Sequence, residues 1–149
     1  MKMLGTADDR YGEERPLGFT TVKFKVATED THGSLFLIEH DNLNKGGPPR
    51  HFHPDQDEWF YVMQGELLVE IGEERMRLHA GDSVVAPRKV PHVWAFVGET
   101  PGAMLVGWTP AGKMEAFFRE ITKVEHIPQN AELFHAHGME MVGPPLPLD

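Results

Sequence analysis

Residues 46–65 read GGPPRHFHPDQDEWFYVMQG. His51 and His53 stand one residue apart in this stretch, and Glu58 follows. Strand side chains alternate between faces, so residues 51 and 53 would share a face, about 6.7 Å apart along the chain. On a helix the same pair would diverge by about 200° and could not meet one ion. The pair therefore argues for strand, and two imidazoles on one strand face argue for a shared metal. The turn Pro54 to Asp57 returns Glu58 toward them. A third imidazole, His92, ends the stretch 81–92, GDSVVAPRKVPH, and would arrive from a distant strand.

The surrounding sequence keeps the strand period. Residues 17–28 alternate around Phe19, Val22, Phe24 and Val26, and 34–40 (SLFLIEH) read as a more buried strand. Residues 57–64 and 66–71 flank Gly65, the mark of a tight hairpin. Further short strands are expected at 75–79, 83–86, 92–97 and 103–109. Short strands at such spacing, with glycine at the turns, mean an all-β sandwich or barrel. The period then changes. Met114, Phe117, Phe118 and Ile121 fall on one helix face, and a second short helix fits 129–137 with Gly138 after its end. This face is read as a cap on the barrel or a dimer surface. The tail Gly143–Pro147 is expected to be extended. Residues 1–15 read as a loose polar arm. The whole chain, 1–149, is read as one domain, with the barrel over about 17–110 and a helical segment and tail over about 112–149.

Composition removes several classes of function. The 149 residues carry a net charge of −9 and no basic run, so nucleic acid is not an expected partner. No stretch of 18 apolar residues or signal-peptide core is visible, so no membrane partner is expected and cytoplasmic is the default location. The absence of cysteine excludes disulfides and thiolate ligands.

The two stretches together, His-x-His followed by Glu and Gly, then Gly, Pro and His, resemble the paired motifs of the cupin superfamily. The segment AGKMEAFFREI and the tail GMEMVGPPLP resemble the small quercetinase-like cupins. The resemblance implies a jelly-roll barrel, a homodimer, and the metal ligands His51, His53, Glu58 and His92. Imidazole and carboxylate suit one divalent ion of Fe, Mn, Ni, Cu or Zn, and the donor set alone does not choose among them. Besides the leading Gly46, which stands one residue out of step at five before His51, two positions depart from the family pattern. Lys89 stands where a glycine is usual, and Phe96 where an asparagine is frequent.

The apolar side chains sharing faces with the ligands are candidates for a pocket wall: Phe60 and Val62 with Glu58, and Trp94 and Phe96 with His92. An apolar wall suits a mainly apolar, aromatic substrate better than a sugar. The leading expectation is a dioxygenase-type enzyme in which Glu58 ligates and also exchanges a proton with substrate. A cupin isomerase or decarboxylase that consumes no O2, and a non-enzymatic small-molecule binding module, remain open alternatives. His40 is read as a surface histidine at a strand end. His135 and His137, a second His-x-His, fall in helical sequence and are read as surface residues. His32, His79 and His126 carry no signal. Asp55 and Asp57 are read as solvated turn residues, and Arg88 and Lys89 as exposed loop charges.

Overall fold

The structure is a computed structural model that describes residues 3–99, 101–124, 127 and 129–148. His126 lies outside the described residues. The strands are β1 (Thr21–Val26), β2 (Phe36–Leu43), β3 (Arg50–Phe52), β4 (Asp57–Gln64), β5 (Glu66–Ile71), β6 (Glu74–His79), β7 (Ser83–Ala86), β8 (His92–Phe96), β9 (Gly102–Thr109) and β10 (Glu140–Gly143). Two helices, α1 (Met114–Ile121) and α2 (Ala131–Ala136), lie between β9 and β10. The strands form two antiparallel five-stranded sheets, in the orders β1-β2-β9-β4-β7 and β10-β3-β8-β5-β6. This is the expected jelly-roll barrel.

Alternation explains which residues face inward. Phe36, Ile38 and His40 on β2, Glu58, Phe60 and Val62 on β4, and Met104, Val106 and Trp108 on β9 are all buried. Each large apolar side chain so buried contributes about 1.5–3 kcal/mol relative to exposure. The α1 face Met114, Phe117, Phe118 and Ile121 joins the same core, so the helix is a cap on the barrel.

Phe96 accounts for one departure from the family pattern. Its ring fills the core beside the β4–β5 turn, where Gly65 adopts φ +94°. A Cβ at Gly65 or at Gly102 would stand 2.4 Å from that ring. The glycines therefore make room for an aromatic group that a smaller residue would not fill. Lys89 accounts for the other. It takes the left-handed backbone, φ +72°, that glycine adopts at no cost. Its N–H donates to the His53 carbonyl at 2.8 Å and ties the two motif loops together.

One expectation is corrected, and one strand appears that was not expected. The arm at 1–15 is docked, not loose, over its described part. Asp9 and Arg15 are buried as an ion pair at 2.5 Å, and Asp9 also accepts from the backbone N–H groups of Phe24, Tyr11 and Glu13. The Arg15 guanidinium stacks 3.7 Å from the Phe24 ring centre. Scattered charges read as solvated, but a paired and hydrogen-bonded carboxylate can be buried, here with Arg15 Nη2 left without a hydrogen bond 3.2 Å from Glu13. Secondly, residues 140–143 form β10, which pairs with β3 beside His51. Leu146 of the tail then packs on Val93 and Ala95. Among the described residues, no helix is long and apolar enough to cross a membrane.

Candidate metal centre

The four sequence-selected residues come together at one end of the barrel. His51 on β3 is the direct cross-strand partner of His92 on β8. His53 follows just beyond the end of β3, and Glu58 faces them from β4 in the other sheet. One ligand-type atom from each lies within 4.8 Å of the others. The Nε2 atoms of His53 and His92 are each 2.9 Å from Glu58 Oε1, and that of His51 is 3.9 Å away. Adjacent donors about 3 Å apart are what metal–nitrogen and metal–oxygen bonds of about 2.1 Å at right angles require.

The outward nitrogens fix the tautomers. His51 Nδ1 lies 2.8 Å from the Pro49 carbonyl and His92 Nδ1 lies 3.2 Å from the Val90 carbonyl. Carbonyl oxygens only accept, so both Nδ1 atoms carry hydrogen. His53 is held by Gln56, whose Nε2 donates to the carbonyls of Pro110 and Ala111 at 2.8 Å. Its Oε1, 3.0 Å from His53 Nδ1, must therefore accept. In neutral rings, each Nε2 then turns a lone pair inward, the arrangement by which outer partners orient metal-binding histidines. His53 Nε2 is buried without an aligned hydrogen-bond partner, although Glu58 is close, as suits a lone pair facing an ion.

The electrostatics ask for a cation. All four side chains are buried. Burial pushes the proton affinity of His51 down to about 3, reinforced by His92, so its ring is neutral near pH 7. Burial would raise Glu58, but His92, by its charge and its hydrogen bond, and the nearby His53 hold it well below the usual carboxylate range. Burial likewise opposes charge on His92, and Glu58 outweighs it and raises that imidazole. One buried carboxylate among three imidazoles is stable only with a positive charge beside it. A proton supplies that charge through His92, and a divalent ion can take the proton's place. The residues fit a divalent transition metal.

Above the cluster lies a small cavity of about 30 Å³. His51 and Glu58 reach it from the metal side, and Trp94, Trp108 and His40 line its walls. Phe117 and Phe118 of α1 and Phe134 of α2 roof it. Of the four expected wall residues, the structure places Trp94 on the cavity. Phe60 instead packs edge-on against the His92 ring at 6.1 Å. Val62 and Phe96 are buried but do not line the cavity. Alternation selects a face but not a depth, and residues four apart on a strand lie about 13 Å from one another.

His40 is a correction. It is 2% exposed, in the middle of β2, which runs three residues beyond the expected strand end. Its ring packs edge-on against Trp94 at 5.4 Å. Gln56 and Trp108 were not singled out by motif. Inward parity with Met104 and Val106 was the available signal for Trp108, and a glutamine in a turn gave none. His135 is exposed and bonded to Glu140 at 2.6 Å, while His137 Nδ1 meets the Leu133 carbonyl at 2.9 Å. Neither approaches the cluster. Arg88 is exposed, but Asp57 engages its side chain and its backbone N–H.

The Cupin domain family model matches residues 41–108. The chain is 41% identical over 61 residues to an oxidoreductase of Arthrobotrys oligospora, covering 38% of this chain and 24% of that protein. The chain thus spans about a quarter of that relative's length. Among solved structures, KdgF from a Halomonas species is 25% identical, with a TM-score of 0.57 over 66% of this chain and 87% of that one. An RmlC-like cupin from Shewanella frigidimarina is 22% identical, with a TM-score of 0.59 over 77% and 99%. Motif spacing, barrel topology and these likenesses agree, and residues 41–108 match a cupin domain within a cupin-like barrel.

Proposed function

We propose that this cupin-like chain is a metal-dependent enzyme of the dioxygenase type acting on a small, mainly apolar substrate. The observation that carries the reading is the oriented His51–His53–Glu58–His92 cluster opening onto an aromatic-walled cavity. A bound divalent metal would supply a Lewis acid and a redox partner for oxygen. The chain's own residues do the rest. Pro49, Gln56 and Val90 hold the three imidazoles in their ligating orientation. The roof of α1 and α2 excludes water, and Glu58 is placed to take or return a substrate proton. Identity of 41% over 61 residues to an oxidoreductase of Arthrobotrys oligospora supports redox chemistry.

Oxygen consumption by the metal-loaded protein, measured against a panel of phenols, aromatic ketones, small acids and sugars, tests the reading. Uptake with aromatic compounds is expected. Turnover of any panel member without oxygen consumption would refute the dioxygenase reading in favour of isomerisation or decarboxylation. Binding without turnover would refute enzymatic activity.

The chain is also proposed to pair with a second copy through the outer face of the first sheet. There Trp59 stands opposite Val85, with Tyr61 and Met63 following on β4. A monomeric mass by light scattering at micromolar concentration would refute that pairing.

A further inference from the structure

Two polar groups on the cavity wall have no part in the metal cluster, and both are left with hydrogen-bonding capacity. Trp108 is 3% exposed, and its Nε1–H is buried with no acceptor. Buried indole N–H groups ordinarily find a partner, because an unmet donor is costly. The ring is fixed by stacking on Phe36 at 5.7 Å and by contact with Phe118 at 5.3 Å. Trp108 is also the direct cross-strand partner of Glu58, so the two side chains emerge side by side on the inner face.

His40 supplies the opposite polarity. Its Nδ1 lies 3.3 Å from Thr20 Oγ1. That hydroxyl donates its hydrogen to the Asp41 carbonyl at 3.1 Å, so it accepts from His40 Nδ1–H. His40 Nε2 therefore carries a lone pair, and among the described residues no hydrogen bond to it is found. Burial keeps the ring neutral by lowering its pKa to about 4. The wall thus offers one donor on β9 beside the metal cluster and one acceptor on β2, separated by the Phe118 ring, which touches both. Among the described residues, no Lys or Arg lines the cavity.

We infer that Trp108 and His40 are the substrate-reading pair of this site: Trp108 donates to a ligand oxygen near the metal, and His40 accepts from a hydroxyl at the ligand's other end. This rests on the cavity being the substrate site of the proposed enzyme. The class of ligand is a neutral aromatic molecule carrying a carbonyl or equivalent oxygen and a separate hydroxyl. Apart from an ion held by the cluster, a carboxylate would find no cation among the described residues of this wall, and a plain hydrocarbon would leave both groups unmet. The cavity of about 30 Å³ holds an oxygen-sized group but not a ring. Entry of the ring therefore requires α1 or α2 to move outward.

Three probes separate the two contacts by calorimetric or tryptophan-fluorescence titration: 4-hydroxyacetophenone, 4-methylacetophenone without the hydroxyl, and 4-ethylphenol without the carbonyl. The parent should bind 4-hydroxyacetophenone about tenfold more tightly than either truncated probe. Trp108→Phe, which keeps an aromatic ring in place, should weaken 4-hydroxyacetophenone and 4-methylacetophenone about tenfold and leave 4-ethylphenol unchanged. His40→Leu should weaken the two phenols and leave 4-methylacetophenone unchanged. His40→Gln, which retains an acceptor, should restore most of the loss. Equal affinity of all three probes for the parent, unchanged affinity in both variants, or no binding of 4-hydroxyacetophenone overturns the inference. If Trp108→Phe does not fold, the His40 pair decides alone. Each titration is run on metal-free and metal-loaded protein beside a Mn²⁺ titration of the parent. Tight metal binding with no probe discrimination sinks this inference alone. Absent metal binding sinks the enzyme reading, while the metal-free titrations still decide the pair.

Discussion

Gln56 is where fold and site are coupled most directly. Its side chain is 4% exposed and makes three hydrogen bonds: two donated to the carbonyls of Pro110 and Ala111, and one accepted from His53. Gln56→Leu preserves approximate volume and removes all three. Two buried partners and the part-buried Pro110 carbonyl are left unmet, at up to about 1 kcal/mol each, so the metal-free protein should lose about 2–3 kcal/mol. For a chain of this size that lowers Tm by about 10 °C. The consequence for the site is separate from the consequence for the fold. Without Oε1 to accept its Nδ1–H, His53 can turn or change tautomer, and metal affinity should fall about 10- to 100-fold. Differential scanning calorimetry of metal-free protein reads the first effect. Calorimetric titration with Mn²⁺, at a temperature where the variant is folded, reads the second. A folded variant that loses stability but keeps parental metal affinity would refute the argument that Gln56 sets the His53 lone pair.

Three further outcomes are expected. His51→Ala should weaken metal binding by well over an order of magnitude, since it deletes a donor whose tautomer is already fixed; unchanged affinity by the same titration would mean the ion sits elsewhere. Acidification should destabilise the fold through His40. Its folded pKa is about 4 and its unfolded value about 6.5, so between these the unfolded chain binds more protons and stability falls as pH drops, by up to about 3 kcal/mol near pH 4. Urea unfolding of His40→Leu over that range should show a correspondingly shallower decline than the parent. Lys89→Gly should relieve the left-handed strain at φ +72° and stabilise the protein by about 1 kcal/mol, a rise of a few degrees in Tm.

What the sequence disclosed divides along physical lines. Period-two alternation and turn glycines were enough for most strands of the barrel, and the helical period for the α1 face, because burial on one side imprints itself on the chain. The ligand set was legible because ion binding demands particular atoms at particular spacings. Three other features are set by distant parts of the chain. Asp9 and Arg15 looked like surface charges because their partnership with each other and with the Phe24 N–H is visible only once β1 is placed. His40 looked terminal because β2 continues through Asp41 and Asn42, polar residues that propensity alone would exclude from a strand, to the buried Leu43. Gln56 had no local signature at all, since its partners lie 54 and 55 residues away at Pro110 and Ala111.

That last contact bears on how the site and its roof are connected. The carbonyls held by Gln56 belong to the two residues that follow β9 and immediately precede the α1 segment. Gly112, the next residue, adopts φ +54°, and a Cβ there would stand 2.6 Å from Gln56 Nε2. The glycine therefore lets the backbone close over the amide. One side chain thus orients a ligand imidazole with its oxygen and anchors the start of the roof helix with its nitrogen. If the roof moves to admit a ring, as the small cavity requires, this anchor limits the motion to the parts of α1 and α2 beyond it. Exchange of backbone amide hydrogens should accordingly be slow at Ala111 and Met114, whose N–H groups bond to Gly33 and Ala111, and faster toward Thr122 at the far end of α1. Uniform exchange along the helix would mean that the roof lifts as a whole and that Gln56 does not hinge it.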